Sequence, residues 1–253
     1  MLAKLINKIL EIPGYKLIKT AEEKSRYLDI KDNVDFLNIY ESCKMFTMTS
    51  IERMYTLYEA TNFIIGKGLK GDFVECGVWK GGSAMMIAHL LVKNDIHDQK
   101  IFLYDTFEGM PRPSDSDVSP RGFSALNFFN EVSTGNDSST WCLATLDEVR
   151  ENLLSTGIGT DQLIFVKGKV EETIPDNLPK NSVSLLRLDT DWYSSTKHEL
   201  VHLYPLLEEG GALIIDDFGA WEGAKKAVVE YFDSSKSIYL NRIDNTGRIG
   251  IKT

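Results

Sequence analysis

The sequence predicts an α/β protein with a doubly wound, mostly parallel sheet and an N-terminal helical extension. From Asp72 onward, short apolar runs of strand length alternate with stretches of helical periodicity. This alternation is typical of β-α-β crossovers, in which helices cover both faces of a parallel sheet. Acidic residues follow several of the apolar runs, and the carboxyl ends of parallel strands are where such sheets bind ligands.

Residues 1–68 predict the helical extension. Residues 1–12 place apolar side chains at helical spacing with charged residues between them. This pattern favours a docking or oligomer helix over a signal peptide or a membrane span. Thr49 and Glu52 have the S/T-x-x-E spacing of a capping box, so we expect a helix to begin there.

Residues 69–253 predict the sheet domain. The expected elements are strand 72–76, helix 82–92, strand 100–105, helix 145–154, strand 163–167, strand 183–189, helix 194–208, strand 212–215, helix 221–232 and short strands near 237–240 and 248–251. The segment 108–140 interrupts this alternation and is rich in Pro, Ser, Asp, Gly and Asn. So long a connection is usually a functional lid or a disordered insert, and its three phenylalanines favour the lid.

The composition narrows the classes of partner and the compartment. A formal net charge of −9 without a Lys/Arg-rich run argues against binding to nucleic acid or to an anionic membrane. The three cysteines are odd in number and lack C-x-x-C spacing, so neither a disulfide framework nor a zinc ribbon is indicated. We therefore expect a cytoplasmic protein that binds a small neutral or cationic ligand.

Three aspartates predict a metal site. Asp189 closes the apolar run 183–189, and Asp216 and Asp217 follow the run 212–215 one helix later. A β-α-β crossover makes the two strands parallel neighbours, which brings the three carboxylates together. Carboxylate oxygens are the ligands that Mg²⁺ prefers, although aspartates also follow strands simply as turn formers.

A glycine turn follows the first strand, in the segment Glu75-Cys76-Gly77-Val78-Trp79-Lys80-Gly81-Gly82-Ser83. The segment departs from G-x-G-x-x-G because Trp79 stands where the second glycine is expected, which weakens a pyrophosphate-binding interpretation. Asp105 closes the second strand, where a carboxylate can accept hydrogen bonds from ribose hydroxyls. Together these features favour a nucleoside cofactor without a pyrophosphate.

Four segments together carry a resemblance to a known family: 73–82, 105–111, 186–193 and 210–218. In sequence and order they resemble the macrocin O-methyltransferase family, whose members use S-adenosylmethionine and Mg²⁺ to methylate sugar hydroxyls of antibiotics and related glycosides. The resemblance extends from about residue 45 to the C-terminus. It implies a Rossmann-like class I methyltransferase fold.

The resemblance also implies roles for individual residues. Asp189, Asp216 and Asp217 match the metal ligands, and Asp191 matches the general base. The cofactor positions that it implies are Thr47, Met48, Glu75, Gly77, Ser83, Asp105, Thr106, Phe107, Gly168 and Val170. In this family the N-terminal part helps to build the acceptor pocket and the oligomer, so we expect a homo-oligomer.

The expected acceptor is a glycoside or saccharide with a vicinal diol, because two neighbouring oxygens can bind one metal ion. Trp79, Trp192, Tyr193 and Trp221 border the predicted crevice, where they stack on a ligand or pack against one another. Two alternatives remain open from the sequence. One is a nicotinamide-dependent dehydrogenase, which the missing G-x-G-x-x-G disfavours, and the other is a catalytically silent glycan-binding scaffold.

Overall fold

The computed structural model describes residues 27–233 and 238–253 of the chain. Helix α1 spans Leu28–Asp32 and helix α2 spans Val34–Cys43. A compact unit begins within α2 at Ile39 and continues to Thr253, and this unit contains the sheet. The predicted helix over residues 1–12 lies outside the described residues.

The compact unit alternates strands and helices, as the sequence predicts. Its elements are α3 Ile51–Lys67, β1 Asp72–Cys76, α4 Gly82–Lys93, β2 Ile101–Asp105, α5 Ala125–Val132, α6 Leu146–Leu154, β3 Leu163–Lys167, α7 Val170–Thr173, β4 Val183–Leu188, α8 Tyr193–His202, β5 Leu207–Ile215, α9 Glu222–Asp233, β6 Asn241–Arg242 and β7 Arg248–Ile251.

Within the described ranges, seven strands form one sheet in the order β3-β2-β1-β4-β5-β7-β6. Strands β1 to β5 are parallel to their neighbours, and β7 runs antiparallel to both β5 and β6. The prediction of a doubly wound, mostly parallel sheet is confirmed. The strand order reverses between β1 and β4, and a crevice for ligands opens outside the carboxyl ends of strands at such a point.

The core of the sheet lies at its two central strands. Every residue of β1 and of β4 is buried, as expected for central parallel strands, whose two faces are covered by helices. Burying one large aliphatic side chain stabilises the fold by about 1.5–3 kcal/mol. These strands therefore give the crevice at their ends a rigid floor.

The start of α3 differs by one residue from the predicted capping box. Ser50, not Thr49, is the N-cap, and its side chain accepts a hydrogen bond from the backbone N–H of Arg53. The Ser50 hydroxyl also donates to Asp244, 2.6 Å away. This long-range partner favours Ser50 as the cap, and the local S/T-x-x-E spacing does not reveal it.

Three predicted boundaries near β5 and β6 are wrong: the end of the crossover helix, the start of β5 and the start of β6. The crossover helix ends at His202 instead of 208, because Tyr204–Leu206 form a 3-10 turn that contains Pro205. Strand β5 consequently begins at Leu207, which pairs with Val183. The strand predicted near 237–240 instead begins at Asn241, where pairing with β7 starts.

The insertion at 108–140 has an ordered helix that its polar composition conceals. Helix α5 begins after Ser124, whose side chain accepts from the backbone N–H of Asn127. Two isolated β-bridges, Val118 with Ser124 and Ser133 with Ser139, fold the flanking segments back. The role of the insertion as a lid stays a prediction.

Gly77 is required for the contact between the ends of β1 and β4. Its φ is +82°, and a Cβ there would overlap the carbonyl oxygen of Asp189. Gly122 has nearly the same φ, +81°, with no atom within 4 Å of a built Cβ. The two glycines therefore separate the cost of the backbone conformation from the cost of the overlap.

We expect Gly77→Ala to lower the free energy of unfolding by about 2–5 kcal/mol, because a left-handed backbone and overpacking both act against it. Gly122→Ala is expected to cost only about 1–2 kcal/mol, the backbone part. Urea denaturation of both variants measures the difference. Equal losses would show that Gly77 does not serve the β1–β4 contact.

Candidate active site

A pocket of about 350 Å³ opens at the carboxyl ends of the parallel strands. Most of the residues that the sequence predicts for the site line it. These are Thr47, Met48, Gly77, Ser83, Asp105, Thr106, Gly168, Val170, Asp189, Asp191, Asp216 and Asp217. The same cavity therefore collects the predicted cofactor, metal and base positions.

Two predicted cofactor residues do not line the pocket. Glu75 is buried, and its Oε1 accepts from the guanidinium of Arg187, 2.6 Å away. Burial raises the pKa of Glu75 to about 7 in spite of this partner. Phe107 is also buried, and its ring packs edge-on against Phe165. Glu75 nevertheless contacts the site through Arg187, which lines the pocket.

Asp105 joins the glycine turn to the end of β2. Its Oδ2 accepts from the backbone N–H groups of Val78, at 2.7 Å, and Trp79, at 3.2 Å. Its Oδ1 accepts from the backbone N–H of Phe107 at 2.7 Å. The Thr106 hydroxyl lies 3.4 Å from the same Oδ1 but is closer, at 2.7 Å, to the carbonyl oxygen of Gly109. A carboxylate has about four acceptor sites, so the three backbone donors leave capacity for a ligand hydroxyl.

The three predicted metal ligands meet in space. Oxygen atoms of Asp189, Asp216 and Asp217 all lie within 4.8 Å of one another. Strand register explains this, because Leu188 of β4 pairs with Ile215 of β5. The residues that follow the two strands are therefore neighbours.

Two arginines reach into this cluster. Arg187 contacts Asp189 Oδ2 at 2.8 Å and Asp216 Oδ1 at 2.7 Å, besides Glu75. Arg53 of α3 pairs with the other oxygen of Asp216 and, at 3.0 Å, with Asp244. Neither role is among the sequence predictions. Arg187 had a visible signal, since a charged residue stands inside the apolar run of β4, whereas Arg53 is brought in by the fold.

The cluster has more carboxyl groups than guanidiniums, a set of ligands that suits a divalent cation. Five carboxylates, those of Glu75, Asp189, Asp191, Asp216 and Asp217, stand against the guanidiniums of Arg53 and Arg187. Burial raises the pKa of Asp189 and of Asp217 well above the usual range. Within the described part of the chain, Asp217 Oδ2 is buried without a hydrogen-bond partner. A hard oxygen donor set with such an orphan atom fits Mg²⁺.

Asp191 stands at the pocket wall in a strained conformation. Its φ is +68°, which is uncommon for a residue other than glycine. Its Oδ1 accepts from the indole Nε1–H of Trp221 at 2.7 Å. Burial and the charge of Asp189 raise the pKa of Asp191 to about 7. The strain and the raised pKa are both typical of functional positions.

Aromatic rings form the wall beside Asp191. The ring centroid of Trp221 lies 5.2 Å from that of Trp192 and 6.1 Å from that of Trp141. Phe123 and Phe128 extend this aromatic wall, at 6.2 Å from Trp221 and 4.9 Å from Trp141 respectively. Of the four aromatic residues predicted to border the crevice, Trp79 and Trp221 line the pocket, whereas Trp192 and Tyr193 do not. Trp141 is a pocket residue that the sequence did not indicate.

The Asp244 side chain links α3 to the β6–β7 turn and gives an acid-stability prediction. Burial raises its pKa, but hydrogen bonds from the Ser50 hydroxyl and from the backbone N–H groups of Gly247 and Thr246 outweigh it and leave a pKa of about 2. A lowered pKa means that the ionised form stabilises the fold. This stabilisation is present above the ordinary pKa of 3.8 and is lost as the pH falls towards 2.

We expect Asp244→Asn to lower the free energy of unfolding at neutral pH by about 1–2 kcal/mol, since it weakens charge-assisted hydrogen bonds. The difference in the free energy of unfolding between this variant and the wild-type protein should shrink as the pH falls from 3.8 to about 2. Urea denaturation across that range measures this, with Asp98→Asn at an exposed position as the control. If the difference in the free energy of unfolding does not depend on pH, the assigned hydrogen bonds to the ionised Asp244 carboxylate are contradicted.

Comparison with known proteins decides the family. Residues 41–249 match the sequence profile described as Macrocin-O-methyltransferase (TylF). The chain belongs to the macrocin O-methyltransferase family. The match begins near the start of the compact unit and includes all the pocket residues described above, so the family assignment applies to the site as well as to the fold.

Individual relatives and a solved structure support the same conclusion. Demethyldecarbamoylnovobiocin O-methyltransferase of Streptomyces niveus is 31% identical over 185 residues, which cover 73% of this chain and 67% of that protein. Mycinamicin III 3''-O-methyltransferase of Micromonospora griseorubida is 32% identical over 187 residues, 74% of this chain and 70% of that protein. The structure of the O-methyltransferase NovP superposes with a TM-score of 0.69 at 29% identity, covering 82% of both chains.

As a member of the macrocin O-methyltransferase family, the chain is an O-methyltransferase with a Rossmann-like fold. Both predictions are confirmed. Among the described residues, none of the helices combines the length and the apolar character that crossing a membrane requires.

Proposed function

We propose that this O-methyltransferase uses S-adenosylmethionine and Mg²⁺ to methylate a sugar hydroxyl of a glycosylated small molecule that offers a vicinal diol. The cluster of Asp189, Asp216 and Asp217 carries this proposal, because it opens into the same pocket as the glycine turn and Asp105. Metal ligands and cofactor positions therefore share one cavity.

The cofactor side of the pocket suits a nucleoside that carries a positive charge. Asp105 holds the glycine turn by two backbone hydrogen bonds and keeps acceptor capacity for a ribose hydroxyl. The carboxyl groups of the pocket outnumber its guanidiniums, and this balance of charged groups favours a sulfonium cation. Trp79 at the second glycine position does not hinder a cofactor that lacks a pyrophosphate. The pocket residues Thr47 and Met48 complete this side.

Asp189, Asp216 and Asp217 would hold the metal ion. When bound, Mg²⁺ lowers the pKa of a coordinated hydroxyl and fixes its oxygen for attack on the methyl group. Asp191 lines the same pocket, and we assign it the removal of the hydroxyl proton. Arg187 orients two of the ligands through its ion pairs with Asp189 and Asp216.

The acceptor is proposed from chemistry and from the relatives. The names of two relatives specify demethyldecarbamoylnovobiocin and mycinamicin III. A diol can bind the metal through two oxygens, and the exposed faces of Trp141 and Trp221 can pack against the apolar face of a sugar ring. Assembly into a homo-oligomer and a cytoplasmic location remain part of the proposal.

Methyl transfer to defined acceptors tests the proposal. Purified protein is incubated with methyl-labelled S-adenosylmethionine and either of those two compounds, with Mg²⁺ or with a chelator. We expect label on a sugar oxygen in the Mg²⁺ sample and a strong loss with the chelator. A matched acceptor in which one hydroxyl of the diol is already methylated should react poorly. Transfer that is equally fast with the chelator, or label on a non-sugar atom, would overturn the proposal.

A further inference from the structure

We infer that Trp221 is a positioning residue for the base Asp191: its indole N–H fixes Oδ1 of the carboxylate and thereby the orientation of the group that takes the acceptor proton. This inference rests on the proposed function of Asp191. Trp221 Nε1 donates a hydrogen bond to Asp191 Oδ1 over a distance of 2.7 Å. A hydrogen bond to an ionised acceptor at this length is of the strong, charge-assisted kind.

Asp191 needs an external partner to keep its orientation. It follows the end of β4 in a left-handed backbone conformation, with a φ of +68°, so the strand itself does not define its direction. Such conformations persist only where the surroundings over-determine them. The indole of Trp221 provides such a constraint from another segment of the chain.

Trp221 is itself tied to the metal ligands. Its backbone N–H donates to the carbonyl oxygen of Asp217 at 3.2 Å, within the turn between β5 and α9. One residue therefore contacts the base through its side chain and a metal ligand through its backbone. The metal cluster and the base consequently keep a fixed relation, which in-line methyl transfer requires.

The ring of Trp221 is held by its neighbours. Trp192, which is 2% exposed, packs at 70° to it with a centroid distance of 5.2 Å. Trp141 and Phe123 contact it from other sides, at 6.1 and 6.2 Å. These tilted and edge-to-face contacts leave one orientation for the indole, with its N–H directed at Asp191.

The insertion adds a further support through Asp117. This buried carboxylate accepts from the backbone N–H of Tyr193 at 3.0 Å, at the start of α8. It also lies so close to Gly223 that a Cβ there would overlap its Oδ1. Asp117 thus holds the first turns of α8 and α9 together, and those turns carry the residues next to Asp191 and Trp221.

Two measurements on Trp221→Phe test the inference. The first is the split between kcat and KM with demethyldecarbamoylnovobiocin as the acceptor. We expect kcat to fall by about 10- to 100-fold, the scale of a small misplacement of a catalytic group. The KM for the acceptor, the Kd for S-adenosylhomocysteine and the Tm should stay close to wild type. Trp192→Phe keeps an aromatic ring against Trp221 and loses only an indole N–H bond to the Pro111 carbonyl, so this matched control should reduce kcat far less.

The second measurement needs no turnover. Protein labelled with ¹⁵N-tryptophan gives indole N–H resonances for its four tryptophans, and Trp221→Phe identifies the one from Trp221. That resonance should move most in Asp191→Asn, with much smaller changes for Trp79 and Trp141. If it is unchanged in Asp191→Asn, the contact and the inference are refuted, whether or not the protein methylates the acceptor.

The kinetic measurements also distinguish a positioning role of Trp221 from a packing role. Equal losses of kcat in Trp221→Phe and Trp192→Phe, or a lowered Tm and weaker S-adenosylhomocysteine binding, would show a packing role and overturn the inference. Failure of the wild-type protein to methylate the acceptor or to bind S-adenosylhomocysteine would count against the proposed function, while the resonance test would still judge the Trp221–Asp191 contact.

Discussion

Asp191→Asn is expected to reduce methyl transfer by about 10²-fold or more, the usual contribution of a general base. The amide keeps the size and the left-handed backbone tolerance of the side chain but has no basic oxygen to take a proton. Asparagine adopts a positive φ readily, so the fold should be unchanged. Binding of S-adenosylhomocysteine should also remain, because Asp191 has no assigned contact with the cofactor.

Asp95→Asn is the matched control for this experiment. Asp95 is another non-glycine residue with a positive φ, +56°, and its side chain is 93% exposed away from the pocket. The control should turn over like the wild-type protein. Initial rates at saturating S-adenosylmethionine and Mg²⁺ give the comparison. Unchanged turnover in Asp191→Asn would remove Asp191 from the mechanism.

Asp217→Asn is expected to weaken Mg²⁺ binding by at least about 100-fold. Loss of a partner that only supports a metal ligand typically costs 10–100-fold in affinity, so loss of a ligand should cost at least the upper value. Asp217 is the most direct choice among the three ligands, because Asp216 is also the partner of Arg53 and Arg187. Removing the Asp216 carboxylate would leave both guanidiniums short of a partner.

The same substitution should not destabilise the metal-free protein. Burial raises the pKa of Asp217, and the charges of Asp191 and Asp216 raise it further, so the ionised form is disfavoured before metal binds. A neutral amide relieves that repulsion, and we expect an equal or higher Tm without metal. Calorimetric Mg²⁺ titration and thermal unfolding measure the two effects. Wild-type Mg²⁺ affinity in Asp217→Asn would locate the ion elsewhere.

The sequence predicted the parts of the site that strand ends determine. The crossover makes β4 and β5 parallel neighbours, and this predicts that Asp189, Asp216 and Asp217 lie close together. The observed pairing of Leu188 with Ile215 confirms that the two strand ends are adjacent. The motif identifies Glu75 as a site residue but does not show where its carboxylate points. In the structure the carboxylate pairs with Arg187 and does not line the pocket.

Contacts between distant segments could not be predicted in this way. Arg53 reaches Asp216 across 163 positions, and Trp221 reaches Asp191 across 30 positions. No local periodicity encodes such pairs. The shortened helix α8 is different, because Pro205 stood in the sequence and a proline seldom lies within a helix. That boundary could have been predicted with more weight on local turn chemistry.

Calorimetric titration of S-adenosylhomocysteine into the purified protein, with and without Mg²⁺, tests the central claim most directly. We predict micromolar binding that is largely independent of the metal, since the glycine turn and Asp105 supply the proposed cofactor contacts and none of them is a proposed metal ligand. Absence of binding in both conditions, particularly together with binding of NAD(H), would contradict the assignment of this pocket to a methyl donor.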